Sequence, residues 1–190
     1  MTASRKLLLA IAIVALAQTG VLAAMVIDRV RLLTAGREIT LPIVPVDPRD
    51  LFRGEYVRLG YEVGRVPARL LDGPRPRLNA PFYIVLEKNA DGSWVPVKIS
   101  RAKPNEPSPD RIVLKGRSVF RWPPPTSPNT MLSVRYGIES YFVPEGRGKE
   151  LEALAREKRM AALVAVDARG NAAIKGLIID GKLQYEEPLF

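Results

Sequence analysis

The densest group of residues that could do chemistry lies at residues 46–61, VDPRDLFRGEYVRLGY. It holds three carboxylates within nine residues, namely Asp47, Asp50 and Glu55. Carboxylate oxygens suit a hard divalent ion such as magnesium or calcium, and a pair of them could act as general acid and base. The same side chains could instead cap turns and pair with the neighbouring arginines. Turn capping is the simpler interpretation, and a weak metal site or a hydrolase centre is the alternative.

The composition excludes several classes of active site. The chain has no cysteine and no histidine, so it can form no disulfide, no Cys/His zinc site and no Ser-His-Asp triad. Serine–lysine neighbours such as Ser118 and Lys115 occur without any motif around them. We therefore assign no catalytic residue and no cofactor, and we expect a non-catalytic role.

Two blocks of sequence carry a recognisable motif. The first is GEYVRLGY at residues 54–61, and the second is YGIESYFVPEG at residues 136–146. The first resembles the signature of the GDYXXLXY family, with glutamate in place of the usual aspartate, and the resemblance covers most of residues 37–181. The motif or interaction residues that it indicates are Gly54, Glu55, Tyr56, Leu59, Tyr61, Tyr136, Gly137, Glu139, Tyr141, Phe142, Pro144, Glu145 and Gly146.

The resemblance implies a bacterial protein with one membrane anchor and a domain without established catalytic residues. Proteins of this kind tend to be encoded beside multi-pass membrane proteins, which implies an integral membrane protein as partner. A Gly-acid-Tyr-Val sequence after an anchor is also similar to part of the type I signal peptidases. Those enzymes need a serine just upstream, whereas residues 40–54 contain none and position 46 is Val46. This departure argues against peptidase activity.

Residues 7–27 predict the element that would hold this domain at a membrane. They form an uncharged, largely apolar run, and as a helix they would extend about 31 Å, which matches a hydrocarbon core of about 30 Å. The alternative is a cleaved signal peptide with an A-x-A site at residues 15–17. We favour an uncut signal anchor because apolar residues resume at Val21 and continue to Ile27.

The predicted organisation follows from this anchor. Residues 1–6 form a cytoplasmic N-terminus, residues 28–36 a stalk or a continuation of the helix ending at Gly36, and residues 37–190 a single extracytoplasmic domain at the bacterial inner membrane. Arg5 and Lys6 favour this orientation, whereas the arginines after the anchor, Arg29, Arg31 and Arg37, favour the reverse.

The domain is predicted to be mainly β (α+β), with antiparallel sheets in a small barrel-like arrangement and one packed helix at about 148–161. Short runs of alternating or β-branched residues indicate the strands. They lie at 37–44, 56–63, 82–87, 94–100, 112–115, 131–136, 139–143, 162–167, 172–179 and 182–185. Asp91-Gly92, residues 169–171 and Asp180-Gly181 predict hairpin turns between neighbouring strands.

The net charge of +9 allows a third function, attraction to a polyanion or to an anionic lipid surface. No run of four basic residues occurs, so the sequence gives no sign of a concentrated basic patch. We expect no nucleic acid partner.

Overall fold

The computed structural model describes residues 3–45, 56–74, 77, 79–105, 108–118, 130–142 and 148–186. Two α-helices and thirteen strands are assigned in these residues, so the prediction of a mainly β protein with antiparallel sheets is confirmed. The elements are α1 (Ala3–Ala35), β1 (Arg37–Val44), β2 (Tyr56–Arg58), β3 (Gly60–Tyr61), β4 (Arg65–Pro67), β5 (Leu71–Asp72), β6 (Pro81–Lys88), β7 (Trp94–Ser100), β8 (Arg111–Ser118), β9 (Met131–Arg135), β10 (Ser140–Phe142), α2 (Gly148–Arg156), β11 (Met160–Val166), β12 (Ala172–Ile179) and β13 (Lys182–Glu186).

Helix α1 is long and apolar enough to cross a membrane once, as a span or a signal anchor, and its apolar window is fully exposed. The segment predicted as a stalk or helix continuation is helical as far as Ala35. Its Leu32 and Leu33 are buried against Ala165 and Ala173 of the sheet. At Gly36 a Cβ atom would lie 2.3 Å from the Leu32 carbonyl oxygen, so only glycine lets the chain leave the helix here.

Two larger sheets build the domain. The first has five strands in the order β13-β12-β11-β1-β3, and the second has six in the order β4-β9-β8-β6-β7-β5. All pairings are antiparallel except the short parallel contact between β5 and β7. Apolar side chains from both sheets enter one core, whose largest fully buried members are Val66, Leu41, Ile43, Leu59, Phe82, Ile84, Leu86, Ile99, Leu114, Ile138, Leu151 and Leu177.

Arg37 ties the end of α1 to the second sheet. Its guanidinium lies 5.5 Å from the centroid of the Trp94 ring, and it donates hydrogen bonds to the backbone carbonyls of Ser108, Pro109 and Arg111. A planar cation with five donors can stack on an aromatic ring and satisfy several carbonyls at once. The first strand residue after the helix is thus held by both sheets.

The predicted hairpins are present, and several strand limits differ from the prediction. Asp91-Gly92 joins β6 to β7, residues 167–171 join β11 to β12, and Asp180-Gly181 joins β12 to β13. The strand predicted at 56–63 is divided into β2, β3 and a 3-10 helix at Glu62–Gly64. Strands β4 and β5 were not predicted, because runs of two or three residues are too short to show a period.

The packed helix is shorter than predicted and ends at Arg156. Lys158 has φ +57. Its N–H donates a hydrogen bond to the carbonyl of Ala155, and the N–H of Arg159 donates one to the carbonyl of Leu154. This pair of hydrogen bonds is a Schellman motif, which terminates a helix through a left-handed residue. Strand β11 then begins at Met160, so the predicted helix end at 161 was wrong.

Candidate functional site

The structure brings the two motif blocks together. Strands β2 and β10 pair antiparallel, with Val57 opposite Tyr141, and the N–H of Leu59 donates to the carbonyl of Glu139 at 2.9 Å. Blocks about 80 residues apart in sequence therefore form one unit, which we call the motif junction (residues 56–63 and 136–142). The predicted residues Asp47, Asp50, Gly54, Glu55, Pro144, Glu145 and Gly146 lie outside the described residues.

Two buried tyrosines cross the motif junction in opposite directions. The hydroxyl of Tyr61 donates to the carbonyl of Ile138 at 2.8 Å, and that of Tyr136 donates to the carbonyl of Val63 at 2.6 Å. Burial, followed by the nearby charge of Glu139, raises the pKa of both Tyr61 and Tyr136 above its ordinary value. Both phenols therefore stay protonated at neutral pH and act as hydrogen-bond donors that hold the blocks together.

Glu139 shapes the turn of the second block. Its carboxylate accepts the N–H of Tyr136 at 2.5 Å through Oε1 and the N–H of Gly137 at 3.0 Å through Oε2. Gly137 has φ +86, a conformation that glycine adopts without strain. The carboxylate is thus used as a backbone cap, and no group of three potential metal ligands occurs among the residues that the structure describes.

The end of β10 presents opposite environments on its two faces. Tyr141 is buried in the core, whereas the side chain of Phe142 is 80% exposed. A strand alternates its side chains between two faces, so burial of the first residue turns the second outward. The motif junction therefore has a protected interior and a large exposed aromatic group on its surface.

A cleft of about 530 Å³ opens beside the motif junction, within the usual size of ligand pockets. Tyr136, Gly137 and Glu139 line it from the second motif block. Lys115 and Arg117 of β8, Arg135 of β9, and Asn79 and Asn171 from two loops also line it. We call this the cationic cleft, because its described lining residues include three cations and one carboxylate.

These three cations were not predicted as site residues from the sequence. They come from two strands, and Arg135 lies 18 to 20 positions from Arg117 and Lys115, so no basic run marks the three cations in the sequence. The alternation of β8 is the one local signal, because Lys115 and Arg117 are spaced by two and share a face, while Gly116 and Ser118 between and after them are buried.

Comparison with known proteins gives one result. Residues 18–177 match the family described as GDYXXLXY protein, a region that begins within α1 and ends in β12. No curated protein and no solved structure matches the chain. Because the matched region spans well over half of the chain and contains the whole motif junction, the predicted resemblance is confirmed and this protein belongs to the GDYXXLXY family.

Proposed function

We propose that this protein is a membrane-anchored accessory domain that binds an integral membrane partner and has no catalytic activity of its own. The observation that carries the proposal is α1. Its large apolar side chains between Leu7 and Ile27 are exposed, and nothing in the described domain covers them. A helix satisfies its own backbone polar groups in hydrocarbon, so a bilayer is the environment that suits this surface.

The joint between helix and domain supports an accessory role. Leu32 and Leu33 pack against Ala165 and Ala173, and Arg169 of the β11–β12 turn pairs with Asp28 at 2.6 Å. Exposed ion pairs add little stability, so the packed leucines contribute most of the attachment between α1 and the domain. A domain fixed in this way keeps one orientation above the bilayer and presents the same surface to any neighbour in the membrane.

Phe142 is the surface group that we assign to the partner contact. It lies in the second motif block, and exposed aromatic residues are enriched where proteins associate. Its backbone is held by pairing with β2, and its neighbour Tyr141 is buried. Phe142 is therefore held on an ordered strand, which lowers the entropy lost on binding.

Photocrosslinking in native membranes tests the partner. A photoreactive phenylalanine at position 142 should give one reproducible adduct with a multi-pass membrane protein. The matched control places the same group at Leu183, an exposed apolar position outside the motif, and should give none. No adduct at 142, or the same adducts from both positions, would contradict the partner assignment.

The proposed topology puts residues 1–6 in the bacterial cytoplasm and the domain outside the inner membrane. Because the native chain has no cysteine, single cysteines report topology without background. Lys182→Cys should react with an impermeant maleimide in intact cells, and Ser4→Cys only after lysis. The reverse pattern would show the opposite orientation, and a mature protein that begins near Gln18 and is released by carbonate would show that there is no anchor.

A further inference from the structure

We propose that the cationic cleft binds one anion of the phosphate class, either a phospholipid headgroup or a soluble phosphate. Proteins without catalytic groups can still carry a ligand site, and this one is separate from Phe142 and from the proposed partner contact.

The charge arrangement is costly without a ligand. Arg117 of β8 lies directly opposite Arg135 of β9 in the strand register, and Lys115 lies two residues away on the same face as Arg117. Like charges directly opposite each other in a sheet destabilise it. None of the three cations forms an ion pair or a side-chain hydrogen bond with another residue in the described ranges. An anion seated between them would remove the repulsion.

The remaining groups of the cleft are compatible with an anion. Its one acidic lining residue in the described part of the chain, Glu139, has its two carboxylate oxygens on the N–H groups of Tyr136 and Gly137. Those amide donors partly offset its charge, so the three cations outweigh it. Arginine offers a planar fork of donors that matches the oxygens of a phosphate group, and the amide side chain of Asn79 adds a further donor. Asn171 also lines the cleft, but its Nδ2 donates to Asp167 Oδ2 at 2.8 Å.

The cleft is connected to the end of the domain that lies next to α1. Asn171 belongs to the β11–β12 turn, whose Arg169 reaches Asp28, the residue directly after the apolar segment. The N–H of Lys115 donates to the carbonyl of Gly170 in the same turn at 2.7 Å. If α1 spans a bilayer, the cleft lies close to the headgroup layer. The assignment of a lipid headgroup as the ligand therefore rests on the proposed function, whereas the anion site itself is independent of it.

Two binding measurements on the full chain distinguish the sources. In uncharged detergent, inorganic phosphate should raise the melting temperature more than chloride at equal ionic strength, because binding to the folded state stabilises it. After reconstitution in vesicles of phosphatidylcholine with phosphatidylglycerol, native mass spectrometry should find phosphatidylglycerol retained on the protein. A response to phosphate alone assigns a soluble anion, and retained phosphatidylglycerol assigns a headgroup.

The test variant is Arg117→Gln/Arg135→Gln. It should weaken the apparent affinity for the anion about tenfold or more, since two charge-assisted contacts are lost. The control, Arg69→Gln/Arg101→Gln, removes the same charge from exposed arginines outside the cleft and should respond like wild type. Lys115→Gln gives an independent test should the double variant not fold. No response in either arm, or equal responses from wild type, test and control proteins, would overturn the proposal.

Discussion

Replacing Tyr136 by phenylalanine removes one hydroxyl that joins the two motif blocks. Tyr136 is 7% exposed and Val63, whose carbonyl accepts its hydrogen bond at 2.6 Å, is 3% exposed. Water cannot easily replace a donor at such a buried carbonyl, so the substitution should cost about 1–3 kcal/mol of unfolding free energy. For a domain of roughly 150 residues, each kcal/mol lowers the melting temperature by about 2–4 °C.

The measurement is urea denaturation of the full chain in mild detergent, followed by tryptophan fluorescence. Tyr83→Phe is the matched control, because Tyr83 is half-buried on β6 and its hydroxyl forms no hydrogen bond with another described residue. The control should stay within about 0.5 kcal/mol of wild type. Equal stabilities for the Tyr136→Phe protein and the control would refute the view that the crossed tyrosines hold the motif junction.

Two further predictions concern stability. Above about pH 10, Tyr61 and Tyr136 ionise in the unfolded chain but stay protonated in the folded one, where each pKa is raised. The folded state then binds more protons, so stability should fall by about 1.4 kcal/mol per pH unit for each tyrosine, and Tyr136→Phe should reduce this slope in urea titrations at pH 9–12. Leu33→Ala should cost about 2–5 kcal/mol because Leu33 is 4% exposed, whereas Leu22→Ala, at a position 63% exposed, should leave the thermal unfolding of the domain unchanged.

Local patterns determined much of the fold. Alternating residues predicted a strand at 82–87, and the side chains on one of its faces, Phe82, Ile84 and Leu86, are fully buried. The Asp91-Gly92 turn was predicted from its residues, and its carboxylate accepts the N–H and the hydroxyl of Ser93. Turn chemistry and side-chain alternation act over a few residues, so they can be recognised in a single sequence.

Longer-range features appeared only in the tertiary structure. The hydrogen bond from Tyr61 to Ile138 spans 77 positions, and the pairing of Arg117 with Arg135 depends on the register of two strands. Neither follows from periodicity, because a period tells which face a side chain occupies but not which strand lies opposite. The sequence alone therefore determined the long apolar N-terminal helix, the strand-rich domain and the motif. The crossed tyrosines and the cationic cleft were decided by how distant strands pair.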